Sequence, residues 1–292
     1  MKDNCNEIIF ILFFVLTLLA IGHSSPIVNG EVAFEKQQQF PFAVSFGSFS
    51  GENSSSFSHF CGGSIIFSNL KFSWAISAGH CFANSDLERK KIFAIIGGGD
   101  LLTSSNEEKL CSVQKIIVAN FDQYSIQNDI SLVKINCGRQ QVIELSSIEP
   151  LKSRDCVIYG YGTESYEMNM KPSNVLRYGF VQPISHSECE KIMGRMSAPI
   201  QGCGQFCARG SHPLFTDACN GDSGSAIICK ESNSNIYKLV GVVSYGMGCG
   251  SEYSAGVYES VLYHRHWIDL TLQNECQIDE KEKSEDETIR SL

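Results

Sequence analysis

Between residues 27 and 262 the apolar positions come in short, β-branched runs, at 92–96, 116–118, 130–135, 156–161, 227–229 and 239–245. They almost nowhere repeat with the roughly 3.6-residue period of a helix. Clusters such as Gly97-Gly98-Gly99-Asp100 and Ser232-Asn233-Ser234-Asn235 interrupt them as tight connections do. Many short strands divided by turn residues predict an all-β sandwich or barrel and disfavour an α/β fold. One segment departs from this pattern. From about residue 263 to 274, Tyr263, Trp267, Ile268 and Leu270 fall on one helical face, which predicts a closing helix.

The two ends differ from the body. The first apolar run, Ile8 to Ile21, has 14 residues, shorter than the roughly 20 that span a bilayer but suited to the core of an export signal. Gly22 and Ser24 supply the small residues that precede cleavage. Residues 1–24 are therefore expected to be a signal peptide, 25–26 a short propeptide, and the protein to be secreted, with no membrane attachment once the signal is removed. The leading segment fits less well, because Asp3 and Glu7 outnumber Lys2 where a positive charge is usual. At the other end, residues 277–292 hold six acidic and three basic residues with little to bury, and are expected to form a disordered charged tail.

Charge and cysteine narrow the class. A formal net charge of −9 with no Lys/Arg cluster argues against nucleic acid as a partner. Of 13 cysteines only Cys5 lies in the expected signal, leaving an even number, and no C-x-x-C pair occurs. That favours disulfides in an oxidising compartment over zinc. Asn53-Ser54-Ser55 is a glycosylation sequon in a Ser/Gly-rich stretch.

Three segments carry chemistry: Ala78-Gly79-His80-Cys81, Asp129-Ile130-Ser131-Leu132 and Gly221-Asp222-Ser223-Gly224. A serine hydroxyl is a weak nucleophile at neutral pH and needs an imidazole to take its proton, and that imidazole needs an acid to fix its tautomer. In the order His, Asp, Ser, the three segments resemble the chymotrypsin/trypsin-like serine proteases over residues 27 to about 274. Asp122 is the near rival of Asp129, but it lies in a polar stretch, whereas Asp129 leads into an apolar strand. His59, His186, His212, His264 and His266 lack the flanking pattern of His80 and read as surface or packing residues.

The resemblance implies two packed antiparallel six-stranded β-barrels, about 27–145 and 146–262, with a C-terminal helix and the active site in the cleft between them. His80, Asp129 and Ser223 would be catalytic, and the backbone N–H groups of Gly221 and Ser223 would form the oxyanion hole. Asp217, six residues before Ser223, would sit at the base of the primary pocket and select Arg or Lys, with walls from Ser244-Tyr245-Gly246 and Gly256. Two departures stand out: Tyr245 replaces the usual Trp, and Ala218 replaces a common Ser. Loss of that hydroxyl favours Arg over Lys, because guanidinium pairs bidentately with a carboxylate. Partners would be protein or peptide substrates and protein inhibitors, and the chain would act as a monomer.

Ile27-Val28-Asn29-Gly30 resembles the mature N-terminus of the family, whose freed amine pairs with the acid before the nucleophile, here Asp222. The residue before Ile27 is Pro26, and no basic residue lies between Lys2 and Ile27, so tryptic activation is not encoded. A dipeptidyl peptidase acting on Ser25-Pro26 would expose Ile27. The missing activation site leaves a catalytically silent homologue, acting as a binding module, as the rival expectation. By resemblance the disulfides are Cys61–Cys81, Cys156–Cys229, Cys189–Cys207 and Cys219–Cys249. Cys111 and Cys137, on neighbouring strands, are a further pair, and Cys203 and Cys276 are left over. No cofactor is expected. Asp100, Glu107 and Glu108 lie where some relatives hold calcium, without a diagnostic spacing.

Overall fold

The computed structural model of the chain describes residues 27–33, 40–49, 57–83, 91–104, 110–163, 171–231 and 234–290. The expected signal peptide and propeptide, Asn53, Glu107 and Glu108 lie outside these residues.

The β-branched runs become strands of two barrels. The first consists of β2 (Ala43–Phe49), β3 (Phe57–Ser68), β4 (Ser73–Ser77), β5 (Phe93–Ile96), β6 (Leu110–Val118) and β7 (Ser131–Ile135), closed in the order β2-β3-β4-β7-β6-β5. The second consists of β8 (Arg154–Gly160), β9 (Arg177–Ile184), β10 (Gln205–Arg209), β11 (Ala226–Lys230), β12 (Tyr237–Gly246) and β13 (Gly256–Ser260). It runs β9-β10-β13-β12-β11-β8 and closes through the β8–β9 pairing. Numbered within each barrel, the six strands follow one circuit, 1-2-3-6-5-4, in both. The halves share a topology without sharing a sequence repeat, because inward-facing apolar residues of many shapes satisfy the same barrel. Phe46, Ile65, Trp74, Ile76, Leu132 and Ile135 fill the first barrel, and Ile158, Ile227, Val240, Val243 and Tyr258 the second.

The N-terminal segment belongs to the second barrel, not the first as the 27–145 boundary supposes. β1 (Glu31–Val32) adds an edge to β9, Val28 bridges Asp217, and Ile27 is fully buried within the second core.

Two helices depart from the sequence expectation. α1 (His186–Met193) is not expected from hydrophobic period alone. It is legible in its ends: the Ser185 side chain accepts a hydrogen bond from the Glu188 backbone N–H, and Gly194 closes the helix at φ 80°. α2 spans Val261–Arg290, well beyond residue 274 and through much of the segment expected to be disordered. Its buried stripe is Val261, His264, Ile268 and Glu275, whereas Tyr263 and Leu270 are exposed. Lys115 on β6 grips Glu275 with both oxygens (2.7 and 2.8 Å), and Lys134 on β7 pairs with Asp279 at 2.5 Å. Polar residues on the inner stripe hide the extension of this helix beyond residue 274 from a hydrophobicity pattern. Among the described residues no helix is long and apolar enough to cross a membrane.

Candidate active site

Strand register brings His80 and Asp129 together. Ser77 at the end of β4 faces Ser131 at the start of β7, so the residues that continue β4 meet those that precede β7. Asp129 is wholly buried and accepts three hydrogen bonds: from the His80 backbone N–H to Oδ1 (2.7 Å), from His80 Nδ1 to Oδ2 (2.7 Å), and from the Ser244 hydroxyl to Oδ2 (2.5 Å). A carboxylate that accepts at Nδ1 makes that nitrogen the proton carrier and leaves Nε2 as a base. Asp122 sits in an exposed turn, its carboxylate tied to the Tyr124 N–H and the Ser125 hydroxyl.

Ser223 precedes β11 and is held against the first barrel, its carbonyl accepting from the Gly62 N–H at 2.8 Å. Ser223 O and His80 Nε2 both approach one sulfur, Cys81 Sγ, at 3.8 and 4.0 Å, so the serine backbone and the histidine ring meet at the same disulfide. Gly224 must be glycine: its φ is +82°, and a Cβ there would lie 2.2 Å from Ser77 Oγ. The neighbouring peptides are oriented by their carbonyls. Asn220 O accepts from Thr163 N (2.7 Å) and Asp222 O from Ser225 N (2.9 Å). In planar trans peptides this turns the N–H groups of Gly221 and Ser223 the opposite way, and neither has an acceptor among the described residues. Two N–H groups left without acceptors in one turn are the kind of donor an oxyanion requires.

Asp222 is buried with Oδ1 on the Gly162 N–H (2.8 Å) and Oδ2 on the Cys219 N–H (2.9 Å). Burial, opposed by those two bonds, still pushes its carboxyl up to about 7. Ile27, expected as its partner, enters through a peptide nitrogen in this chain, with its side chain buried.

Asp217 is 2% exposed. Its Oδ2 accepts from the Gly250 N–H at 3.2 Å, Oδ1 has no partner at hydrogen-bond geometry, and the Ser254 hydroxyl, which donates to Ser251 O, and the Ala218 backbone lie near enough to favour its ionised form. Burial pushes this carboxyl up to about 7, against the hydrogen bonds around it and the Arg209 charge. Gly246 and Gly256 face each other across the β12–β13 ladder, so no side chain projects from either position. Ala218 packs against the second core. A groove of about 700 Å³ runs from His80 past Phe121, Gln123 and Ile126 to Ser244 and Tyr245.

All five expected disulfides are present: Cys61–Cys81, Cys111–Cys137, Cys156–Cys229, Cys189–Cys207 and Cys219–Cys249. Cys203 and Cys276 remain half-buried thiols. Cys61, His80 and Cys81 cluster as metal ligands do, but their sulfurs are bonded to each other. Asp100 caps the backbone N–H of Leu102.

Several site residues escape sequence reasoning. The Ser244 side chain, expected only as pocket wall, holds Asp129. His59, read as a bland residue, is half-buried between Ser45 Oγ (2.7 Å) and Gly221 O (2.8 Å), and desolvation lowers its pKa to about 4. It is therefore a neutral clamp on the loop that carries Gly221. Glu259 and His264 form a buried pair against the Asp129 backbone. No local motif marks these residues, since each gains its partner across more than a dozen residues or from another element. His186 is half-buried beside Glu190, and His212 and His266 are exposed.

Residues 27–268 match the family model described as Trypsin. The chain is 33% identical over 238 residues to Trypsin-1 of Astacus astacus, covering 79% of this chain and 94% of that protein. It is 30% identical over 221 residues to Trypsin of Sus scrofa (74% and 86%) and 29% over 220 residues to Serine protease 1 of Homo sapiens (73% and 80%). The matched span contains both barrels, the imidazole–carboxylate pair and the serine loop, and the chain accordingly belongs to the trypsin family of serine-type endopeptidases.

Proposed function

We propose that the protein is a secreted endopeptidase that cleaves peptide bonds after basic residues, Arg ahead of Lys. The observation that supports the specificity is Asp217 Oδ1, a buried oxygen without a hydrogen-bond partner in a segment that leads to the serine loop, in a barrel where Gly246 and Gly256 leave their paired positions without side chains. Burying a carboxylate without a donor is unfavourable, and a substrate guanidinium supplies both charge and hydrogen bonds. Ala218 offers no hydroxyl to a shorter lysine ammonium.

In this reading His80 Nε2 takes the proton of Ser223 Oγ as that oxygen attacks the scissile carbonyl. The carbonyl oxygen becomes an oxyanion received by the Gly221 and Ser223 N–H groups. Asp129 stabilises the imidazolium, which then protonates the departing amine, and water releases the acyl group by the same steps in reverse. The groove along Phe121, Gln123 and Tyr245 receives the residues preceding the cleaved bond. Five disulfides and the N-terminal apolar run support export.

The test is hydrolysis of matched peptidyl amides ending in Arg, Lys and Tyr by protein whose first residue is verified as Ile27. Arg is expected to be fastest, and Ser223→Ala is expected to lower kcat by about 10⁴-fold or more. Cleavage after Tyr alone would overturn the Asp217 assignment. No cleavage at all would identify a silent homologue.

A further inference from the structure

Asp129 is gripped at two places. Its carboxylate is held by His80 and Ser244, and its backbone N–H donates to Glu259 Oε1 at 2.9 Å. Glu259, on β13, is fully buried, and the same Oε1 accepts from Gln205 Nε2 at 2.7 Å. Its other oxygen, Oε2, lies 2.7 Å from Nε2 of His264, whose side chain is only 6% exposed at the start of α2. A buried carboxylate is retained with filled hydrogen bonds and a counter-charge; this one takes three nitrogen contacts, and His264 is the basic side chain placed against it. Because Oε1 takes two N–H donors, the proton between Glu259 and His264 lies on the Oε2–Nε2 contact. With His264 protonated on both ring nitrogens the pair is neutral; with a neutral imidazole, whose Nε2–H makes the same contact, a negative charge sits directly behind Asp129.

We propose that Glu259 and His264 are a positioning pair for the cleavage reaction: Glu259 fixes the Asp129 backbone, and His264 keeps the charge behind Asp129 neutral. The proposal rests on the reading of His80 as the base and Asp129 as its orienting acid. An uncompensated Glu259 would stabilise the His80 imidazolium and leave less free base at neutral pH. The titratable groups turned toward the pair are Asp129 and, beyond it, His80 from the first barrel. Tyr245 faces it from β12, and from α2 the Tyr263 ring lies 5.0 Å from that of His264. Tyr245 reports the reach of this charge into the groove: its hydroxyl is pushed up to about 12, first by burial and then by Glu259.

The experiment is an NMR titration of the His80 imidazole in the purified full-length protein, in wild type, His264→Gln, Glu259→Gln and the double variant. Removing His264 is expected to raise the His80 titration by about 0.5–1 pH unit, and the double variant to return it to the wild-type value. Glu259→Gln keeps an acceptor for the Asp129 N–H and is expected to leave the titration at or below that of wild type. On Arg amides, Glu259→Leu is expected to lower kcat about tenfold with KM within about twofold, and Glu259→Gln to restore most of the loss. An unmoved His80 in His264→Gln overturns the proposal, as does an upward shift in Glu259→Gln should the first variant fail to fold. The titration needs no turnover. A protein that cleaves nothing yet shows the shift refutes the protease reading alone, and an active protein without the shift refutes the pair alone.

Discussion

At the scale of single residues, Asp217 joins two opposed requirements. On the proposed reading its carboxyl must be ionised to hold a basic side chain, yet burial holds it near 7. Below that pH the free site carries a proton that substrate must displace, so affinity for basic substrates falls with acidity. KM for an Arg amide is therefore expected to rise as pH drops from 8 to about 6, more steeply than KM for a Tyr amide. Asp217→Asn should remove the difference in slope and lower kcat/KM for Arg by about a hundredfold or more. Steady-state kinetics across that range check both, and a parallel rise for both amides would place the titration elsewhere. The His80–Asp129 contact is legible in sequence through the resemblance of their flanking segments to the family, and the roles read for Ser223 and Asp217 rest on that same resemblance. His59, Glu259 and His264 are not legible, because what makes them polar anchors is a partner that only the fold supplies.

At the scale of elements, strands are easier to read than helices here. Runs such as 130–135 and 239–245 advertise β structure because both faces of those strands meet apolar neighbours. α2 hides itself, since a charged side chain on its inner stripe is indistinguishable in sequence from one in solvent. Glu275 is only 10% exposed and Lys134 only 11%, and each has its opposite charge on a neighbouring element. Truncation after Asn274 would be silent if the tail were disordered. With the helix docked, it removes both partners and leaves Lys134 under-compensated, so a loss of about 1–2 kcal/mol is expected, discounted for the partial exposure of Lys115. Denaturant unfolding of the truncated and full chains checks this, with cleavage rates unchanged because the helix end lies outside the groove.

At the scale of the whole molecule, the cleft stores buried titratable groups whose protons are linked to folding. Asp217 and Asp222 both stand near 7 in this chain, above the value of about 4 that an unfolded carboxyl takes. Between those limits the native state keeps protons that the unfolded state releases, so stability falls as pH rises from about 4 to 7. His59 acts in the other direction. Its native value near 4 lies below the unfolded 6.5, so the unfolded state gains a proton first and stability falls as pH drops through that window. Two carboxyls outweigh one imidazole, and the net expectation is a melting temperature that declines toward neutral pH. Activation bears directly on this balance. If the freed Ile27 amine reaches Asp222, its ammonium draws that carboxyl back down and removes one of the two raised carboxyls that make stability fall with rising pH. A Ser223→Ala chain beginning at Ile27 is then expected to show a shallower decline between pH 4.5 and 7 than the same chain with its preceding residues retained. Calorimetry on the two proteins decides the matter: equal slopes would mean that the amine never meets Asp222, and that the oxyanion loop is held by Gly162, Cys219 and His59 without it.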